Sequence, residues 1–200
     1  MSRPAIFLDR DGVLVEEVFY VETGEREAPL RPEDVRLLPG AAAAARDLAR
    51  GGYALVVISN QGAYAKGKTT LRSLWLAHER FVALLAENGV ALDGIYYAFG
   101  HPQGIVPHFS GASLDRKPSP YNLFVAAAQL DLDLKSSWFV GDRQTDVICA
   151  QRAGVRPILI GPAGTGTSVR SVAFVEDLSR AAIAILGYGV APSGIDRMGS

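Results

Sequence analysis

Short apolar runs alternate with stretches of helical periodicity along most of this 200-residue chain. That alternation is the mark of βα units wound around a parallel sheet. The spacing predicts strands at Ala5–Leu8, Ala54–Ser59, Ile95–Phe99, Trp138–Val140 and Pro157–Ile160, with a weaker strand signal at Ala173–Val175. Several of these are continuous apolar runs, as expected for strands covered on both faces. Helices fit Gly40–Arg50, Thr69–Asn88, Pro120–Leu130, Gln144–Ala153 and Asp177–Leu186. In the second of them Leu71, Leu74, Trp75, His78, Phe81, Val82 and Leu85 keep the i, i+3, i+4, i+7 spacing, Thr69 can cap the start and Gly89 can end it. His78 falls on that apolar stripe and reads as a packed or edge histidine rather than a catalytic one. The expected fold is α/β: three Rossmann-like layers around a parallel sheet. Residues 23–32, 100–116 and 161–171 read as irregular loops. Residues 1–189 read as one domain and 190–200 as a frayed tail.

Composition narrows the class. A chain of this length can bury roughly 70% of its unfolded surface without staples. With 48% hydrophobic and 20% charged residues it is an ordinary globular sequence, not a disulfide scaffold, collagen-like repeat or low-complexity tail. The net charge of −1, with no block of like charges, points to neither nucleic acid nor a membrane surface. Cys149 stands alone, which excludes an internal disulfide and any multi-cysteine zinc site. No apolar run approaches the ~20 residues of a transmembrane span, so a cytoplasmic protein is expected, either a monomer or a small homo-oligomer. Four lysines stand against sixteen arginines, so a lysine in a special place is informative.

The chemistry-bearing residues fall at strand ends, where open α/β sheets bind ligands. The first strand runs into Asp9-Arg10-Asp11-Gly12-Val13. Two carboxylates so close can divide labour, one ionised as nucleophile or metal ligand, the other shuttling a proton. The alternative is an Asx-type turn. The second strand ends Ser59-Asn60-Gln61-Gly62, where a hydroxyl and an amide suit a phosphoryl oxygen, although taken alone the segment reads first as turn chemistry. Arg116-Lys117-Pro118 precedes a helix that Ser119 can cap, with Pro120 as its first residue, so Lys117 lies near an anion-favouring helix start. The fourth strand ends Gly141-Asp142-Arg143-Gln144-Thr145-Asp146. Mg²⁺ takes one or two carboxylates plus substrate phosphate. Helix capping explains one of these aspartates but hardly both together with Asp9 and Asp11. Together the four segments converge on phosphate and Mg²⁺.

In that order and at that spacing, Asp9-x-Asp11-Gly12-Val13, Ser59, Lys117 and Gly141-Asp142-x₃-Asp146 resemble the four motifs of the haloacid dehalogenase (HAD) phosphatases across residues 5–160. The stretches Ala5–Gly12, Ala54–Gln61, Asp93–Tyr97, His101–Gly104 and Arg116–Pro118 resemble the heptose-bisphosphate and histidinol-phosphate branch of that family. The resemblance implies Asp9 as a nucleophile forming an aspartyl-phosphate and Asp11 as the acid that protonates the leaving sugar oxygen and then activates water. It implies Mg²⁺ held by Asp9, the Asp11 carbonyl and Asp142, with Asp146 in support, and Ser59 and Lys117 stabilising the transferring phosphoryl group. Substrate contacts are implied for Arg10, Glu17, Tyr20, Asn60, Arg116 and Arg143. The implied substrate is a small phosphorylated metabolite, a heptose bisphosphate losing its 7-phosphate or else histidinol phosphate or a similar monoester. A non-catalytic phosphate-binding module is the alternative from another class.

One departure from the family matters. Its relatives commonly carry a zinc loop, Cys-x-His…Cys-x-Cys, before the Arg-Lys pair, whereas the matching positions here are Ala98, Gly100, Ser113 and Asp115. Zinc wants nitrogen or sulfur ligands, so no zinc is expected, and Phe99, Ile105, Val106 and Phe109 are the expected apolar anchors of the loop. The intervals between motifs hold no folded insert of 50 residues or more, so a cap-less enzyme is expected. Gly161–Ser168 nearly fits a phosphate-binding P-loop, but Thr167 stands where its lysine must be, and a flexible loop is expected.

Overall fold

Every side chain of β1 (Ala5–Leu8) is buried, and the pleat sends alternate residues into two separate cores. Ile6 and Leu8 enter one, Ala5 and Phe7 the other, which is why the run is apolar without alternation. The computed structural model describes residues 2–161 and 173–188. After β1 come β2 (Val18–Tyr20), β3 (Glu25–Glu27), α1 (Ala41–Arg50), β4 (Ala54–Asn60), α2 (Leu71–Glu87), β5 (Gly94–Ala98) and α3 (Tyr121–Leu130). Then follow β6 (Trp138–Gly141), α4 (Gln144–Ala153), β7 (Arg156–Ile160), β8 (Ala173–Val175) and α5 (Leu178–Tyr188).

Six strands form one sheet in the order β5-β4-β1-β6-β7-β8, every pairing parallel. The chain lays β4 and β5 on one side of β1, then returns to lay β6, β7 and β8 on the other. The order reverses between β1 and β6, the switch point where such sheets bind ligands. Phe81 and Leu85 of α2, Ala45 and Leu48 of α1 and Ala181 and Ile185 of α5 cover the face that Ile6 and Leu8 enter. Leu123 and Ala126 of α3 and Cys149 and Ala150 of α4 cover the face that Phe7 and Phe139 enter. No described helix is long and apolar enough to cross a membrane.

All six expected sheet strands and all five helices are present, with shifted ends. Thr70, not Thr69, caps α2 by accepting from the Ser73 amide, while Thr69 donates to the Leu30 carbonyl. α3 starts at Tyr121 rather than Pro120, and Ser119 Oγ accepts weakly from the Tyr121 amide at 3.3 Å. The stretch read as a loop over 23–32 instead contains β3, which pairs antiparallel with β2 (Val18↔Glu27, Tyr20↔Glu25). Three-residue strands such as Glu-Arg-Glu offer no apolar alternation to read. This hairpin and a 3₁₀ turn (Pro32–Asp34) are all the regular structure between β1 and α1, and α2, β5 and a loop fill the interval from β4 to α3. Among the described residues no folded cap interrupts the core. Of the P-loop-like stretch, residues 162–168 lie outside the described residues, as do 190–200 of the tail.

Candidate active site

Asp9 follows β1 and Asp142 follows β6, the adjacent strands at the switch point. Asp146 reaches the same place from the first turn of α4, where its Oδ2 also accepts the Arg143 amide at 3.0 Å and caps the helix. One carboxylate oxygen from each of Asp9, Asp142 and Asp146 lies within 4.8 Å of the other two. Two glycines make that approach possible. A Cβ on Gly12, whose φ is +79°, would meet Asp142 Oδ2 at 2.3 Å, and one on Gly141 would meet Asp146 Cβ at 2.3 Å.

Lys117 enters this cluster from the loop before α3. Its ammonium is 2.9 Å from Asp9 Oδ2, 2.7 Å from Asp146 Oδ1 and 2.9 Å from the Ile58 carbonyl. Burial alone would lower its pKa, but Asp146 and Asp9 more than offset that and hold it above the ordinary lysine range. Burial raises Asp146, although Lys117 pulls against it. Burial, reinforced by the charges of Asp9 and Asp146, pushes Asp142 up to about 7. Three carboxylates thus gather where one ammonium pairs two of them, Asp142 meets only Arg143 at 3.8 Å, and Asp142 Oδ1 is buried with no hydrogen-bond partner. A hard divalent cation fits this excess of oxygen donors and negative charge.

Asp11 lies in different company. Arg10 Nε donates to its Oδ1 at 3.0 Å, and Gln61 Nε2 donates to its Oδ2 at 2.6 Å. Ser59 Oγ stands 3.5 Å from Oδ2. The Asp11 side chain stays outside the three-carboxylate group.

These residues open onto a cleft of about 620 Å³ lined by Asp9, Asp11, Glu17, Ser59, Asn60, Gln61, Arg116, Lys117 and Arg143. Glu17 and Arg143 are joined by an ion pair. Arg26, Glu27, Lys66 and His101 complete the rim. Arg26, Glu27 and Lys66 come from the hairpin and from a loop that carry no motif, whereas His101 lies in a stretch that resembles the family but carries no implied role. Gln61 was also not singled out, because a glutamine at a strand end reads as turn chemistry.

Two expected substrate contacts face elsewhere. Arg10 is 2% exposed, with its guanidinium over the Tyr97 ring on the side away from the cleft. Tyr20 is a buried anchor of the hairpin: its hydroxyl donates to Asp34 at 2.7 Å and accepts from the Leu30 amide at 2.8 Å. Asn60 lines the cleft, but its amide grips the backbone of Lys117, accepting from its N–H at 3.0 Å and donating to its carbonyl at 3.1 Å. His78 points to neither; its ring meets the Tyr97 hydroxyl at 3.2 Å.

The loop over 98–116 is tied down mainly by backbone. The Ile105 and Val106 amides donate to the Ala65 carbonyl at 2.7 and 3.1 Å. Phe109 packs edge-on against Tyr64, but Ile105, an expected anchor, is 76% exposed. Gly100 lies against Ser113, where an added Cβ would stand 2.9 Å from that of the serine, and Ser113 hydrogen-bonds Asp115. Arg116 Nη1 donates to the Gly100 carbonyl at 3.0 Å, so this packing sets the arginine at the cleft.

Comparison with known proteins agrees with the geometry. A HAD-hydrolase-like family profile matches residues 114–178, the segment that carries Lys117, Asp142 and Asp146. The chain is 39% identical over 164 residues to D-glycero-D-manno-heptose-1,7-bisphosphate 7-phosphatase of Thermosynechococcus vestitus, covering 80% of each chain. The chain belongs to the HAD-type phosphatase family. It is also 38% identical over 154 residues to the D-glycero-beta-D-manno-heptose-1,7-bisphosphate 7-phosphatase of Escherichia coli K12, covering 77% of this chain and 76% of that one. Among solved structures, the D,D-heptose 1,7-bisphosphate phosphatase of B. bronchiseptica, complexed with magnesium and phosphate, superposes with a TM-score of 0.75 at 26% identity. That match covers 92% of this chain and 99% of the other.

Proposed function

We propose that this HAD phosphatase removes the 7-phosphate of D-glycero-D-manno-heptose 1,7-bisphosphate in the cytoplasm, through an aspartyl-phosphate on Asp9. The observation that carries the reading is the trio Asp9, Asp142 and Asp146, with Lys117 paired to the first and last of them, in a chain whose relatives bear that activity in their names. Asp9, Asp142 and the Asp11 carbonyl would hold Mg²⁺, with Asp146 behind them, and the ion supplies the charge that lets a phosphate approach a carboxylate.

The chain's own residues account for the rest. Asp9 attacks phosphorus as the bond to the sugar oxygen breaks, and Asp11 gives that oxygen its proton. A water, relieved of its proton by Asp11, then hydrolyses the aspartyl-phosphate. The Lys117 ammonium, fixed by three acceptors, neutralises charge on the transferring group without having to reorganise. Ser59 offers a hydroxyl from the end of β4. Arg116 and Arg143 at the rim are placed to meet the remaining anionic part of a bisphosphate.

Phosphorus NMR of the wild-type protein with Mg²⁺ tests this. Heptose 1-phosphate and inorganic phosphate should accumulate from the 1,7-bisphosphate faster than histidinol phosphate is cleaved. Preferential cleavage of histidinol phosphate would reassign the substrate, and no release from either would overturn the reading.

A further inference from the structure

We infer that Gln61 is a positioning residue that fixes the Asp11 carboxylate for proton transfer to the leaving group, an inference that rests on the reading of Asp11 above. Gln61 is 2% exposed at the end of β4. Its Nε2 donates to Asp11 Oδ2 at 2.6 Å and to Ser59 Oγ at 3.0 Å, while its Oε1 accepts from Arg10 Nη2 at 2.8 Å. Only one amide orientation satisfies these neighbours. A guanidinium has no acceptor, so Oε1 must face Arg10, and that turns Nε2 towards Asp11. Ser59 then holds the amide plane from a third side.

Arg10 gives this arrangement a fixed base. Its guanidinium donates to both oxygens of the Asp11 carboxylate, more closely to Oδ1, is buried and lies over the Tyr97 ring. Arg10 holds Oδ1 closely but reaches Oδ2 only at 3.3 Å. Gln61 supplies the short bond to Oδ2, at 2.6 Å, and so sets that oxygen's position. A carboxyl group displaced by about 1 Å from its productive position can cost ~10²-fold in rate. The larger effect falls on the steps in which Asp11 moves a proton, because the shorter bond of Gln61 is to Asp11, its bond to Ser59 Oγ is longer, and it has no hydrogen bond to Asp9 or Lys117.

That imbalance provides the test. Gln61→Met keeps the shape without either hydrogen bond, and Gln61→Glu keeps an acceptor for Arg10 while losing the donor to Asp11. Each variant is assayed with a sugar phosphate, whose alkoxide must be protonated as it leaves, and with p-nitrophenyl phosphate, whose phenolate leaves without a proton. The expected result in both variants is a fall of about 10- to 100-fold in kcat/KM on the sugar phosphate, with a much smaller fall on the aryl ester. A merely structural role would lower both substrates together, and parallel losses or no loss would overturn the inference. If the methionine variant does not fold, the glutamate variant carries the same test. Wild-type protein assayed alongside separates the two readings: no phosphate release from wild type overturns the phosphatase reading and this inference with it, whereas normal wild-type turnover with no substrate split in the variants overturns the role of Gln61 alone.

Discussion

Asp9 and Asp11 are two positions apart and both buried, yet they occupy opposite electrostatic settings. Asp11 is matched by one guanidinium and capped by one amide, a closed unit with its charge compensated. Asp9 shares a single ammonium with Asp146, while the neighbouring Asp142 has only a 3.8 Å pairing to Arg143 and keeps one buried oxygen unpartnered. A buried charge is tolerated only when paired, so the first unit is complete within the protein and the second calls for a cation from outside. The lesson is that one turn after one strand makes two tools by sending adjacent carboxylates to different partners.

The largest effect should come from removing the nucleophile. Asp9→Asn keeps the shape of the site, and phosphate release should fall to background while the circular dichroism spectrum is unchanged; near-normal turnover would place the nucleophile elsewhere. Chelation of Mg²⁺ comes next and should nearly abolish turnover. The same contrast predicts that Mg²⁺ stabilises the fold through the Asp9 side alone. At a hundredfold excess over its Kd the gain is about 2.7 kcal/mol, read as a rise in Tm that Asp142→Asn should remove. A Tm indifferent to Mg²⁺ in the wild type would erase the distinction between the two settings. Asp11→Asn should cost roughly 10²–10⁴ in turnover, the range for a lost general acid–base, and should leave the Mg²⁺-induced rise in Tm intact.

Lys117→Ala sharpens the comparison in terms of stability. It leaves Asp9 and Asp146 without their shared ammonium, a change worth about 3–5 kcal/mol by urea unfolding in chelator. A loss under 1 kcal/mol would show that these carboxylates are not ionised together. The smallest effect concerns the loop over 98–116, where the positions matching the zinc ligands of the family hold Ala98, Gly100, Ser113 and Asp115. Elemental analysis should find well under one zinc per chain, and a zinc-selective chelator should leave Tm unchanged; stoichiometric zinc would mean that other ligands had taken over.

What the sequence made legible follows the same division. Asp9, Ser59 and Asp142 stand out because each ends a buried apolar strand, and the parallel sheet then delivers strand ends to one edge. Lys117 stands out through its rarity and its place before a helix. Side-chain direction beyond a strand end does not follow from position. Arg10 reads as a substrate contact but turns inward to Asp11 and Gln61, the latter 51 positions away. Tyr20 likewise reads as a contact, but Asp34 and Leu30 capture its hydroxyl. The β2–β3 hairpin escapes notice because its strands span three residues each and β3 is entirely charged. Side-chain partners decided the first two, one of them 51 positions away, and the apolar pattern along the chain encodes neither them nor the short hairpin.

The most direct test of the central claim is to trap the intermediate. The Asp11→Asn variant, mixed with p-nitrophenyl phosphate, whose leaving group needs no proton from Asp11, and Mg²⁺ and quenched in acid, should carry a phosphoryl group, and peptide mapping by mass spectrometry should place it on Asp9. The account predicts that chelator abolishes the label. A phosphoryl group on any other residue, or labelling that persists without a divalent cation, would contradict the division of labour between the two aspartates.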